Sequence, residues 1–309
     1  MKKITSLLLC LLLVFVLCAC GGETNKPGST GTTEDVAYDP VNHDKTLKVL
    51  AIGNSFSDDT TYFLEDIAKA EGFETVAIGN LYIGGCTLET HVKNAEENLP
   101  AYKFYMNYDG EWKIMENCTL AYGLQHQDWD IITMQQASHD SGMPGSYEDN
   151  LTKLIQYVNE NKTNPKAKLA WNMTWAYQAD STHSAFPRYN NDQETMYNAI
   201  VNAVKTKVVP HSEISYIIPA GTAIQNARTS YIGDNLTRDG YHMNELGRVI
   251  TSYTWLATFM GKPLEQINFT NVSAVLTLTE SDKVVIMEAV NAAIAQPFAV
   301  TTSVITEKN

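Results

Sequence analysis

Positive charge is in short supply: Lys and Arg number 22 against 35 Asp and Glu, giving a formal charge of -13. That balance argues against nucleic acid as a partner and against electrostatic binding to anionic lipid. No apolar run is long enough to span a bilayer, since the stretch from Ile4 to Val16 falls short of the ~20 residues a helical span needs. Cysteine is scarce too, with five in the chain. Cys10, Cys18 and Cys20 lie at the N-terminus, so only Cys86 and Cys118 belong to the body of the protein. Neither has a CxxC partner or a His at metal-site spacing, so no zinc cluster, other metal or cofactor is expected. In an exported protein the pair is open to one disulfide or to two separately buried thiols. Internal repeats and composition shifts, which would divide the chain into several domains, are also missing.

What is present begins with a leader. Lys2 and Lys3 precede the apolar run, and a small-residue step follows it, the pattern of a secretory signal. The tetrad Leu17-Cys18-Ala19-Cys20 resembles the bacterial lipobox, in which cleavage leaves the last Cys at the new N-terminus to carry lipid. Residues 1–19 therefore read as a lipoprotein signal peptide and Cys20 as the lipid attachment point. Loss of Lys2 and Lys3 takes the formal charge to -15. Residues 20–45 are rich in Gly, Ser, Thr, Asn, Pro and acid and read as a disordered tether. The expected location is the extracytoplasmic side of a bacterial cell envelope, held to the membrane through that lipid.

Residues 46–309 read as one α/β domain. Short apolar runs at 47–52, 73–79, 130–136, 168–175 and 214–220 alternate with helical patterns at 62–71, 87–98, 147–159 and 193–208. Further helices are expected at 243–260 and from Ser281, a plausible cap. Five such repeats predict a doubly wound, flavodoxin-like, parallel five-stranded sheet with helices on both faces. Two alternating aromatic-rich runs around Asp109-Gly110 add a β-hairpin insertion, placed near the sheet edge or over a cleft.

Open parallel sheets do chemistry at the carboxyl ends of their strands. After the first strand, Ser55 in "GNSFSDD" stands at a strand-to-helix turn, where free backbone N–H groups can hold an oxyanion. An ordinary turn explains Gly-Asn-Ser equally well, and Ser57 is a rival nucleophile. After the second strand, Gly84 and Gly85 permit either a close backbone approach to a ligand or a tight turn. After the third come Gln135, Gln136, Ser138, His139 and Asp140. Far downstream, "TRDGYHMNELG" supplies Asp239 and His242. A serine needs an imidazole as base, and the imidazole needs an acceptor to fix its tautomer; one turn offers both. The bland reading is a polar turn before a capped helix. His91, His126, His183 and His211 read as surface or core residues, and Asp58 and Asp59 as stabilisers of their helix N-terminus. Trp171, Trp175, Tyr177 and Phe186 near the end of the fourth strand read as core, or as a sugar-facing platform.

Strand-GNS near the N-terminus, a glycine after the second strand, and "DGYH" before the last major helix resemble the SGNH (GDSL) hydrolase superfamily of esterases and lipases, over about residues 47–265. The form "IGNSFS…DGYHMNELGR" resembles a branch of exported or lipid-anchored bacterial SGNH proteins. The resemblance implies an SGNH-like α/β hydrolase domain over 46–309, with Ser55 as nucleophile, His242 as base, Asp239 as its orienter and the Gly85 amide as an oxyanion donor. It departs from the family pattern at Asn54, where an aspartate is usual, and in the third block, where "QQASHD" lacks the family Asn. Gln136, or else Gln135, is then the implied side-chain oxyanion donor, as in the sialate O-acetylesterase branch. The implied activity is serine-dependent hydrolysis of an ester, an O-acetyl group on a carbohydrate. The alternative is a surface lipoprotein that binds glycan with the same fold and little or no turnover.

Overall fold

A computed structural model describes residues 45–274 and 276–308. The signal peptide, Cys20 and the tether up to residue 44 lie outside the described residues. Among the described residues there are seven strands and nine α-helices: β1 Thr46–Gly53, α1 Ser55–Thr61, α2 Leu64–Ala70, β2 Thr75–Tyr82, α3 Leu88–Glu96, β3 Tyr102–Tyr108, β4 Glu111–Cys118, α4 Leu120–Gln125, β5 Ile131–Met134, α5 Glu148–Asn161, β6 Lys168–Asn172, α6 Gln193–Ala203, β7 Ile214–Ile218, α7 Ala220–Arg228, α8 Glu245–Met260 and α9 Glu280–Ala295.

The expected five-stranded parallel sheet is corrected to a seven-stranded mixed one, in the order β4-β3-β2-β1-β5-β6-β7. β2, β1, β5, β6 and β7 run parallel, whereas β3 pairs antiparallel with β2 and β4 with β3. The hairpin therefore extends the sheet past β2 instead of covering a cleft. Asp109 and Gly110 both take positive φ at its tip, +51° and +85°, the backbone that a two-residue hairpin turn requires. β4 becomes the edge strand and is exposed along its length except at Cys118.

β5 is buried at every position and β1 at every position except Thr46 and Lys48. Strands buried on both faces need helices on both faces. The helices form two packed groups: α1, α2, α7, α8 and α9 touch one another, as do α3, α4 and α5. α8 is buried almost all round, with Val249, Ile250, Tyr253, Trp255, Leu256 and Phe259 in the core. Fully burying a side chain of this size contributes about 1.5–3 kcal/mol. Cys86 and Cys118 are both free thiols, and burial pushes the Cys86 thiol up to about 12. Among the described residues, no helix is long and apolar enough to cross a membrane.

His91 on α3 is fully buried, stacked on Tyr102 of β3, with Nδ1 2.9 Å from its hydroxyl. Burial lowers its imidazole to about 3, while an unfolded histidine titrates near about 6.5. Below about pH 6.5 the unfolded chain therefore takes up a proton that the folded chain refuses. Stability is full above that value and falls, by at most about 1.4 kcal/mol per pH unit, as pH drops towards 3. Urea unfolding between pH 7 and pH 4.5 is expected to show a shallower acid slope in His91→Gln than in the wild type. Equal slopes would remove His91 as the source.

Candidate active site

The opening turn of α1 sets the first residue of the site. Asn54 caps the helix, its Oδ1 accepting from Phe56 N at 3.0 Å, so Ser55 becomes the first helical residue directly beyond β1. A helix beginning at Ser55 was not expected, because "SFSDDTT" lacks an apolar stripe; tertiary packing carries it instead, with Phe56 stacked on Trp175 at 4.2 Å.

The turn that bears Asp239 and His242 is equally well specified. Thr237 and Met243 form an isolated antiparallel bridge, and Arg238 N donates to His242 O at 2.9 Å. Gly240 sits between them at φ +92°, a conformation that favours glycine. Asp239 Oδ1 accepts from the backbone N–H groups of His242 at 2.8 Å and Tyr241 at 3.2 Å. Its other oxygen, Oδ2, lies 2.7 Å from His242 Nδ1, and His242 Nε2 lies 2.8 Å from Ser55 Oγ. A carboxylate only accepts, so Nδ1 carries the proton and donates it to Asp239. Nε2 is then left as the acceptor for the Ser55 hydroxyl. Burial alone would push the Asp239 carboxyl up, but the hydrogen bonds from the His242 ring and backbone outweigh it and hold it below the usual carboxylate range.

The structure therefore brings Ser55, His242 and Asp239 into one hydrogen-bonded line. Ser57, the rival, is buried with its hydroxyl 2.7 Å from Asn54 O and 2.8 Å from Asn80 Oδ1.

The loop after β2 lies beside Ser55. Ile83 N donates to Gly53 O at 3.3 Å, and Asn54 Nδ2 donates to Cys86 O at 3.1 Å. Gly85, between these two ties, takes φ +62° and is exposed, with open space where a Cβ would stand. The backbone N–H groups of Ser55 and Gly85 have no hydrogen-bond partner among the described residues.

The two glutamines implied as oxyanion donors have their side-chain amides engaged inside the protein. Gln136 Nε2 donates to Ser146 O at 3.1 Å and Ser146 Oγ at 2.9 Å, and its carbonyl accepts from Leu88 N and Ala137 N. Gln135 Nε2 donates to Asn54 Oδ1 at 3.0 Å, and its own oxygen accepts from Asn172 Nδ2 at 2.9 Å. Both are buried, and both brace the turns that carry the site. Of the two readings of the aromatic cluster the structure bears out the core: Trp171, Trp175, Tyr177 and Phe186 are all buried. The rings that meet His242 are Tyr241, at 4.2 Å between centroids, and Phe56, at 6.0 Å, while His183 meets Tyr241 at 4.6 Å. Burial, followed by the neighbouring His139 and His242, lowers the His183 imidazole. Ser138 meets the Tyr177 hydroxyl at 2.9 Å, and Asp140 pairs with Arg188 at 2.6 Å. Asp58 lies close enough to feel His242, but burial and Asp59 raise its carboxyl.

The solved structures similar to this chain include a DUF4886 family protein from Bacteroides uniformis. It is 39% identical, with a TM-score of 0.78 over 83% of this chain and 98% of that one. More distant ones include a candidate SGNH hydrolase from Slackia heliotrinireducens, 17% identical with TM-score 0.47 over 69% of this chain and 98% of that one. A catalytic mutant of an acetylxylan esterase from Geobacillus stearothermophilus is 13% identical, with TM-score 0.45 over 69% and 94%. No curated protein matches. A family model described as a domain of unknown function, DUF4886, matches residues 48–283. With that match spanning most of the sequence, the chain belongs to the DUF4886 family.

Proposed function

We propose that this protein is an SGNH-type serine esterase. The observation that carries the reading is the line Asp239–His242–Ser55, closed at 2.7 and 2.8 Å by segments 187 residues apart. His242 Nε2 takes the proton of Ser55 as Oγ attacks an ester carbonyl. The N–H groups of Ser55 and Gly85 face the oxygen that becomes negative. The protonated imidazole, stabilised by Asp239, then returns its proton to the leaving alkoxide. Water repeats the sequence on the acyl-serine and frees the acid.

With the glutamines turned inward, two backbone amides supply the oxyanion stabilisation. Removing one oxyanion donor costs about 10²–10³ in kcat in other serine hydrolases, so without a side-chain amide in the hole turnover here is expected to be modest. The substrate class we assign is an O-acyl, specifically O-acetyl, group on a carbohydrate. The exposed Gly84–Gly85 loop and half-buried Ser55 leave the nucleophile open to a polymer, and a chain tethered through Cys20 at the extracytoplasmic surface meets polymers. The test is release of acetate from an acetylated glycan and from a chromogenic acetate, each with and without chelator. Acetate release indifferent to chelator is expected. No release from either substrate would favour the non-hydrolytic glycan-binding reading, and loss with chelator would point to a metal-dependent hydrolase.

A further inference from the structure

Asp59 was expected to serve its own helix N-terminus, and the structure puts it to a different use. It stands one helical turn beyond Ser55 on α1, with its side chain 0% exposed. Its Oδ1 accepts from Arg238 Nη1 at 2.7 Å and from Arg248 Nε at 2.9 Å, with Arg248 Nη2 2.8 Å away in the same ion pair, and its Oδ2 accepts from Met243 N at 2.8 Å. Three of its partners belong to the segment that carries the base. Arg238 and Met243 flank Asp239 and His242, Arg238 Nη1 also donates to Met243 O, and Arg248 comes from the first turn of α8 directly after. Arg248 is itself held by the Tyr62 ring, 4.1 Å from its guanidinium carbon.

We propose that Asp59 is a positioning residue that fixes the distance between His242 Nε2 and Ser55 Oγ, an inference that rests on the esterase reading of those two groups. The reason is geometric. Nucleophile and clamp share a single short helix, so the 2.8 Å contact between Ser55 and His242 and the 2.8 Å contact between Asp59 and Met243 are two ends of one rigid strut. Without the clamp, the hydrogen bonds that join the turn to α1 among the described residues reduce to the serine–imidazole contact, which must break and reform in every cycle. Burying a carboxylate is a poor way to gain stability, because a matched apolar side chain commonly does as well. A register device that holds two distant segments is the better-attested use of such a group. Displacement of a reacting group by about 1 Å costs on the order of 100-fold in rate.

The test is Asp59→Asn in the full-length protein, read by kinetics and by proton NMR. The short bond between His242 Nδ1 and Asp239 gives a strongly deshielded proton whose exchange reports how firmly the turn is held. Asp59→Asn is expected to lower kcat about 10- to 100-fold, to leave KM within about two-fold, and to lose the deshielded signal by exchange. A signal and kcat like those of the wild type would overturn the proposal. A rise in KM with kcat unchanged would overturn it too, by making Asp59 a substrate-side residue. If Asp59→Asn does not fold, Arg238→Met decides: Arg238 is 40% exposed, and its loss is expected to cost kcat in the same sense, whereas an unchanged kcat and signal would contradict the proposal. A wild type that shows the deshielded proton but no hydrolysis would defeat the esterase reading and leave the NMR comparison to judge the clamp.

Discussion

Ser55→Ala is expected to lower kcat on a chromogenic acetate by at least about 1,000-fold. Its melting temperature should barely move. The serine is half-buried at the first position of α1, where alanine is well tolerated. The only side-chain hydrogen bond it loses among the described residues is the one to His242, worth on the order of 1 kcal/mol. The rate falls so far because the nearby serines Ser57 and Ser138 are held elsewhere: Ser57 is buried and bound to Asn80, and Ser138 is bound to the Tyr177 hydroxyl. His242→Ala should cost about as much, and the double variant no more than either one, since nucleophile and base act in a single step. A double variant that multiplied the two losses would mean that the groups work separately. A glycan-binding protein without turnover would have no rate to lose.

Asp239→Asn carries the second large expectation, and its direction follows from the backbone. Two N–H groups, of His242 and Tyr241, point at Oδ1, so an asparagine placed there must turn its oxygen towards them. Its NH2 then faces Nδ1 across the 2.7 Å contact that the carboxylate now accepts. Nδ1 is forced to accept, the ring proton moves to Nε2, and the atom that should take the Ser55 proton becomes a donor. The predicted loss in kcat is on the order of 10⁴-fold, as when a buried triad aspartate is amidated in other serine hydrolases, with little change in structure. Asp239 is 39% exposed, so water can rescue part of the tautomer and the loss can be smaller. Alanine at 239 offers no such donor, so Asp239→Ala should be the more active of the two variants. If Asp239→Asn instead kept more activity than Asp239→Ala, the tautomer argument would be wrong.

Ser55, His242 and Asp239 could be singled out from residue chemistry, with Ser57 as a rival and a plain polar turn as the alternative, and their roles came from the resemblance. Their demands on one another, a base for an alcohol and an acceptor for an imidazole, hold in any fold. The setting of the glutamines was not readable, because sequence shows that an amide is present and not which way it points. Once α3 packs its N-terminus at Leu88 against Gln136, that amide is committed to the protein interior. Asp59 was missed for a related reason: its three partners lie 179 to 189 residues away. The only local hint was two arginines, 238 and 248, bracketing the Asp-His turn in a chain with few basic residues. The alternation of β and α was readable, but the sheet's true width was not. The Asp109-Gly110 hairpin announced two strands, and nothing local says that β3 prefers the free edge of β2 to a place above the strand ends.

The most direct measurement is peptide mapping by mass spectrometry of protein treated with a serine-reactive organophosphonate. The account predicts one adduct, on Ser55, formed at a rate that collapses in His242→Ala because the base that activates the hydroxyl is gone. An adduct on another serine, or labelling of Ser55 that proceeds equally well without His242, would contradict it.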